Sequence, residues 1–208
     1  MIASVLRLSR SDIKNLKITD AYSLHRVVYS LFEDGRTGAE KKASVPSGIL
    51  YADKGGDFNN RNILLLSNRK PNIPEFGEVE SREIPESFLQ HEIYRFEVIL
   101  NPTKRDKNTR KTVPIKGREQ ILKWFVAKAP ASWGFSVKAE SLQINNLSVK
   151  TFEKKGHIVT QGSAALQGEL TVVDREKFRI SFQQGIGRGR AFGFGLLQIV
   201  PIANPFHF

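Results

Sequence analysis

The chain has 208 residues, enough for one large domain or two of about 100 residues each, with a real core in either case. Hydrophobic residues make up 40% and charged residues 25%, which argues against disorder over most of the length. Thirty-two Lys and Arg against 21 Asp and Glu leave a formal charge of +11, which favours a polyanionic partner, and the lack of cysteine excludes disulfides and thiolate metal sites.

Residues 1–9, MIASVLRLS, alternate like a half-buried strand and then turn polar, without the apolar stretch of a signal peptide. No apolar run approaches the roughly 20 residues of a membrane span, so a cytoplasmic protein with no membrane partner is expected. A helix follows over 20–32, DAYSLHRVVYSLF, with Thr19 or Asp20 as N-cap. At about 100° per residue, Ala21, Leu24, Val27, Val28, Leu31 and Phe32 gather on its core side. Tyr22, His25, Arg26 and Tyr29 gather on the opposite side. His25 therefore lies outside the apolar stripe, and two tyrosines beside His and Arg are unusual for a purely solvated face.

SGILYAD (47–53) and RNILLLSN (61–68) read as strands, and EIYRFEVILNPT (92–103) as a longer one stopped by Asn101-Pro102. Between them, residues 69–92 hold three prolines and six glutamates, leaving room for only a short helix. Residues 102–118 hold seven basic residues and one acidic residue, a basic loop joining two halves.

Residues 117–129 place Ile121, Leu122, Phe125 and Val126 at helical spacing. Strands are expected over 134–144, in a hairpin over 147–166 that turns at Lys154-Lys155-Gly156, and over 168–173. A helix capped by Asp174 and a closing strand over 191–200 complete the chain. The resulting division is 1–101 for an N-terminal unit, 102–117 for a basic linker and 118–208 for a C-terminal unit.

Two stretches carry chemistry. An imidazole with an ordinary pKa of about 6.5 exchanges protons with a ribose hydroxyl near neutral pH. A phenol orients a hydroxyl and a guanidinium holds phosphate, so Tyr22, His25 and Arg26 together suit phosphodiester cleavage by internal 2′-OH attack without a metal. The second stretch, QQGIGRGRAFGFGLL (183–197), interleaves glycines with Arg188 and Arg190, which lets backbone N–H groups approach phosphate oxygens. It has neither the spacing nor the strand-to-helix context of a dinucleotide fingerprint, and no Gly-Lys-Ser/Thr of a P-loop. Phe192 and Phe194 are expected to point into the core. The four histidines never fall at metal-ligand spacing, and no metal or other cofactor is expected.

These motifs, from YSLHRVVYSLF through NPTKR, KTVPIKG and ILKWFVAKA to FQQGIGRGRAFGFGLL, resemble the CRISPR-associated endoribonucleases of the CasE type, within the RAMP group. The resemblance implies an α+β protein of two tandem ferredoxin-like (RRM-like) domains with antiparallel sheets. It implies metal-independent cleavage of CRISPR repeat RNA at the base of a hairpin, leaving a 2′,3′-cyclic phosphate and a 5′-hydroxyl. By motif, His25 becomes the proton-transfer residue, Tyr22 its helper and Arg26 a phosphate contact. The implied partners are the repeat RNA and other Cascade subunits, with the enzyme staying on its product.

An A-form stem is gripped mainly through phosphates and shape. Lys104, Arg105, Lys107, Arg110 and Lys111 of the basic loop, Lys154 and Lys155 of the hairpin tip, and Gly185, Gly187, Arg188, Gly189 and Arg190 of the glycine-rich segment are the expected RNA contacts. The competing reading is a non-catalytic RRM-like RNA-binding scaffold. A metal-dependent nuclease is disfavoured, since no paired carboxylates stand near a histidine.

Overall fold

The structure, a computed structural model, describes residues 1–43, 45–57, 59–154 and 156–202. Strand β1, Ile2–Ser9, alternates as expected and buries Ser4, Leu6 and Leu8. It runs into a short helix absent from the sequence expectation, α1, Arg10–Asn15, whose N-cap Ser9 and Asp12 cap each other reciprocally. The expected helix follows as α2, Ala21–Ser30, with Asp20 as N-cap accepting from the Ser23 N–H at 2.7 Å. Leu24 and Val28, with Leu31 and Phe32 just past the helix end, are buried, whereas Ala21 and Val27 are half-buried.

A single-turn helix, α3, Gly38–Lys42, leads to β2, Ile49–Gly56, and β3, Asn60–Ser67. In place of a helix over 69–92 there are β4, Glu78–Glu83, and a 3-10 turn, Glu86–Leu89. The sequence EVESRE has one apolar residue and carries no strand pattern of its own. Backbone pairing with β1 along the sheet edge holds it instead. The four strands lie in the order β2-β3-β1-β4, all antiparallel, which is a ferredoxin-like sheet without its second helix.

Strand β5, Ile93–Leu100, overturns the expected end of the N-terminal unit at residue 101. It pairs in the second sheet, with the strands His157–Val172 and Gln198–Pro201, and not in the first. The edge of the first sheet beside β1 is occupied by β4, and the alternating Tyr94, Phe96, Val98 and Leu100 of β5 are buried in the second core. The two sheets therefore divide between β4 and β5.

The expected linker is a hairpin within the second unit, β6, Thr103–Arg105, paired with β7, Thr112–Pro114. Asp106 organises its tip by accepting from the Thr109 N–H and hydroxyl, both at 2.8 Å. Helix α4, Arg118–Trp133, buries Ile121, Phe125, Ala129 and Trp133 on one i, i+4 stripe. It continues through Pro130, past its expected end, because Trp133 anchors the last turn against Phe125 at 5.3 Å and Phe135 at 6.0 Å.

The remaining elements are β8, Phe135–Val137; β9, Gln143–Lys154; β10, His157–Val172; α5, Arg175–Gln184, capped by Asp174 as expected; and β11, Gln198–Pro201. The separate strand expected over 168–173 is the end of β10. Lys154 pairs with His157, so β9 and β10 form the expected hairpin; Lys155 lies outside the described residues. The closing strand is shorter than expected because residues 190–192 form a 3-10 turn between Gly189 and Gly193. The second sheet has the order β11-β5-β10-β8, with β9 also on β10, the complete ferredoxin-like succession β-α-β-β-α-β.

The two units share their packing. Ile49, Tyr51, Ile63 and Leu65 join α2 in one core, while Leu50, Ala52 and Leu66, on the opposite face of the same strands, join the aromatic core of the second unit. Burial on both faces is why β2 and β3 read as near-continuous apolar runs.

Candidate active site

His25 sits mid-way along α2, where the Asp20 cap and the Leu24–Val28 stripe fix the rotation of the helix. The ring is half-buried, and Nδ1 lies 2.7 Å from the carbonyl oxygen of Ala191, in the glycine-rich turn of the second unit. A carbonyl only accepts, so Nδ1 carries the hydrogen and the neutral ring keeps its free lone pair on Nε2. The Tyr29 ring lies 4.2 Å away, Phe192 5.5 Å and Tyr22, stacked, 6.0 Å.

The ring faces an open cleft of about 690 Å³ whose walls include Tyr29, Lys154, Gln184, Arg190 and Phe192. Burial disfavours the imidazolium and the Lys154 charge adds to this, so His25's pKa falls below its ordinary value despite the opposing hydrogen bond to Ala191. The neutral ring is thus the resting form at neutral pH, as a general base requires.

Lys154 comes from β9, and its ammonium stands 5.3 Å from the centre of the Phe192 ring. Phe192 rests in turn on Phe152 at 4.6 Å. Phe194 is fully buried as expected, but Phe192 is half-exposed and forms part of the cleft. Arg190 lines the same wall, with Nη1 donating to the Gln184 carbonyl at 2.8 Å. Arg26 is exposed on the helix beside His25.

The glycine-rich segment bridges the two units. Ile186 N–H donates to Gly195 O at 2.9 Å, Gly195 N–H donates to Ile99 O at 2.8 Å, and Gly185 packs on Leu50 of β2. Gly185, Gly187 and Gly189 are half-buried and Arg188 is exposed. Asn101, at the base of the basic hairpin, forms a backbone bridge to Arg188, which ties that hairpin to the segment. Lys104, Arg105, Lys107, Arg110 and Lys111 are all exposed on the hairpin and do not line the cleft. Ala191 and Tyr51, whose hydroxyl donates to the Ala191 carbonyl at 3.1 Å, are site residues that sequence reasoning missed. Neither side-chain type announces a role that is played by a main-chain oxygen and a core phenol.

The family model described as CRISPR associated protein matches residues 2–201, nearly the whole chain. The chain belongs to this family. The chain is 30% identical over 117 residues to the CRISPR-associated endoribonuclease Cse3 of Thermus thermophilus. That alignment covers 51% of this chain and 55% of Cse3, so the chain matches about half the length of this curated relative. A solved structure of CRISPR endoribonuclease Cse3 bound to 19 nt RNA superposes with a TM-score of 0.79 at 19% identity, covering 97% of this chain and 100% of that one. A chain of a CRISPR RNA-guided surveillance complex does so at 0.69 and 17%, with 97% and 100% covered. At these identities the structural likeness establishes the fold of this CRISPR associated protein as the tandem ferredoxin-like one.

Proposed function

We propose that the protein is an endoribonuclease that cleaves CRISPR repeat RNA at the base of a hairpin without a metal, with His25 as its proton-transfer residue. The observation that carries this reading is the His25 imidazole, held by Nδ1 on the Ala191 carbonyl at 2.7 Å inside a cleft walled by Lys154 and Arg190. Nε2 takes the proton of the ribose 2′-hydroxyl as O2′ attacks the adjacent phosphorus. The P–O5′ bond breaks, O5′ ends protonated, and the products are a 2′,3′-cyclic phosphate and a 5′-hydroxyl. Lys154 and Arg190 face the charge that builds on the phosphoryl oxygens. Tyr22 positions the hydroxyl or the ring, and Arg26 holds a neighbouring phosphate.

Relatives that bind RNA and the fold shared with a chain of a surveillance complex support the substrate class and a second role. In that role the protein stays on the mature guide RNA as a subunit of a Cascade assembly. Incubating the purified protein with a repeat hairpin in EDTA, with analysis of the product ends, tests the proposal. His25→Ala is expected to slow cleavage by at least about 100-fold while leaving RNA affinity nearly intact. RNA left whole by the parent protein, with and without EDTA, would instead mark it as an RNA-binding scaffold.

A further inference from the structure

The Ala191 carbonyl accepts two hydrogen bonds from the first unit: His25 Nδ1–H at 2.7 Å and the Tyr51 hydroxyl at 3.1 Å. Two lone pairs allow both at once. Tyr51 stands on β2, 1% exposed, with its ring packed among the residues beneath α2. Burial pushes its phenol far above the ordinary range, so it stays protonated and donates at every working pH. The same peptide unit is held at its other end, where Phe192 N–H donates to Gly189 O at 2.7 Å. The plane that presents oxygen to His25 is therefore pinned at both ends, and Tyr51 is the pin that comes from the same unit as the imidazole.

We infer that Tyr51 is a positioning residue for His25: its hydroxyl holds the Ala191 carbonyl where it receives Nδ1–H, and so determines which ring nitrogen is free toward the RNA. Without that bond the peptide plane is fixed at one end only, and Nδ1 loses a partner of defined direction. The tautomer with hydrogen on Nε2 then becomes populated, and in that form the ring has no lone pair to offer a 2′-hydroxyl. The arrangement also explains why a fully buried tyrosine stands where two apolar neighbours, Leu50 and Ala52, serve the opposite face of the strand.

The inference rests on the catalytic reading of His25, and Tyr51→Phe tests it separately because it keeps the ring and removes only the hydroxyl. Nitrogen NMR of the His25 imidazole in the free protein is expected to show Nδ1–H alone in the parent and an added Nε2–H population in Tyr51→Phe. Single-turnover cleavage of a repeat hairpin should fall about fivefold, the worth of one hydrogen bond. Affinity for the same hairpin with a 2′-deoxy scissile nucleotide should not change. In a His25→Ala background, Tyr51→Phe should cost nothing further. Unaltered His25 nitrogen signals, or an equal loss in the His25→Ala background, would overturn the assignment. Should His25→Ala cleave as well as the parent, the catalytic reading falls, while the tautomer measurement still decides whether Tyr51 orients the ring.

Discussion

Gly195→Ala is expected to lower stability by about 3 kcal/mol and to disturb the cleft that His25 faces from within the core. Gly195 has φ of +81°, a conformation that costs an alanine about 1 kcal/mol. An added Cβ would also lie 2.2 Å from the backbone oxygen of Ile186, far inside van der Waals contact. That oxygen is not the end of a flexible side chain, so the backbone must move. The movement strains Ile186 N–H to Gly195 O at 2.9 Å and Gly195 N–H to Ile99 O at 2.8 Å, adding about 2 kcal/mol. Gly156→Ala is the matched control: φ is +78°, yet nothing lies within 4 Å of its added Cβ, so it should cost only about 1 kcal/mol. At about 3 °C per kcal/mol for a chain of this size, thermal unfolding should drop by about 9 °C for Gly195→Ala and about 3 °C for Gly156→Ala. Because the turn that carries Ala191 hangs between Ile186 and Gly195, only the first variant should also slow single-turnover cleavage. Equal drops in the two variants would refute the reasoning, since their φ values match and only the space around them differs.

The rate of cleavage should rise with pH and level off around a midpoint below the ordinary imidazole value of about 6.5, because burial and Lys154 oppose charging of His25. Lys154→Met removes the like charge and so moves the midpoint up; a pH–rate profile that stays in place or moves down sinks the assignment of Lys154 to the cleft. Lys107→Met, on the exposed basic hairpin, should flatten the dependence of log affinity on log salt by about one unit without altering the rate at saturating protein. An unchanged slope means that this lysine touches no phosphate.

Local elements were legible where local forces decide them. The α2 stripe, the Asp20 and Asp174 caps and the alternation of β1 all follow from side-chain periodicity and capping, which act within a few residues. β4 was not legible, because EVESRE is held by the edge of β1 and not by its own apolar pattern. The membership of β5 was not legible either. Its alternation says that one face is buried, and says nothing about which sheet buries it.

The same division holds for the site. Sequence alone determined that His25 projects from the flank of a helix away from its apolar stripe, with Tyr22 and Arg26 beside it, because helical geometry sets those directions. Tertiary structure alone decided that a carbonyl 166 residues away fixes the hydrogen on Nδ1, that Tyr51 shares that carbonyl, and that Lys154 stands over Phe192 at the cleft. Main-chain acceptors look alike at every residue. Only the folding of the second sheet against the first selects which of them meets the imidazole.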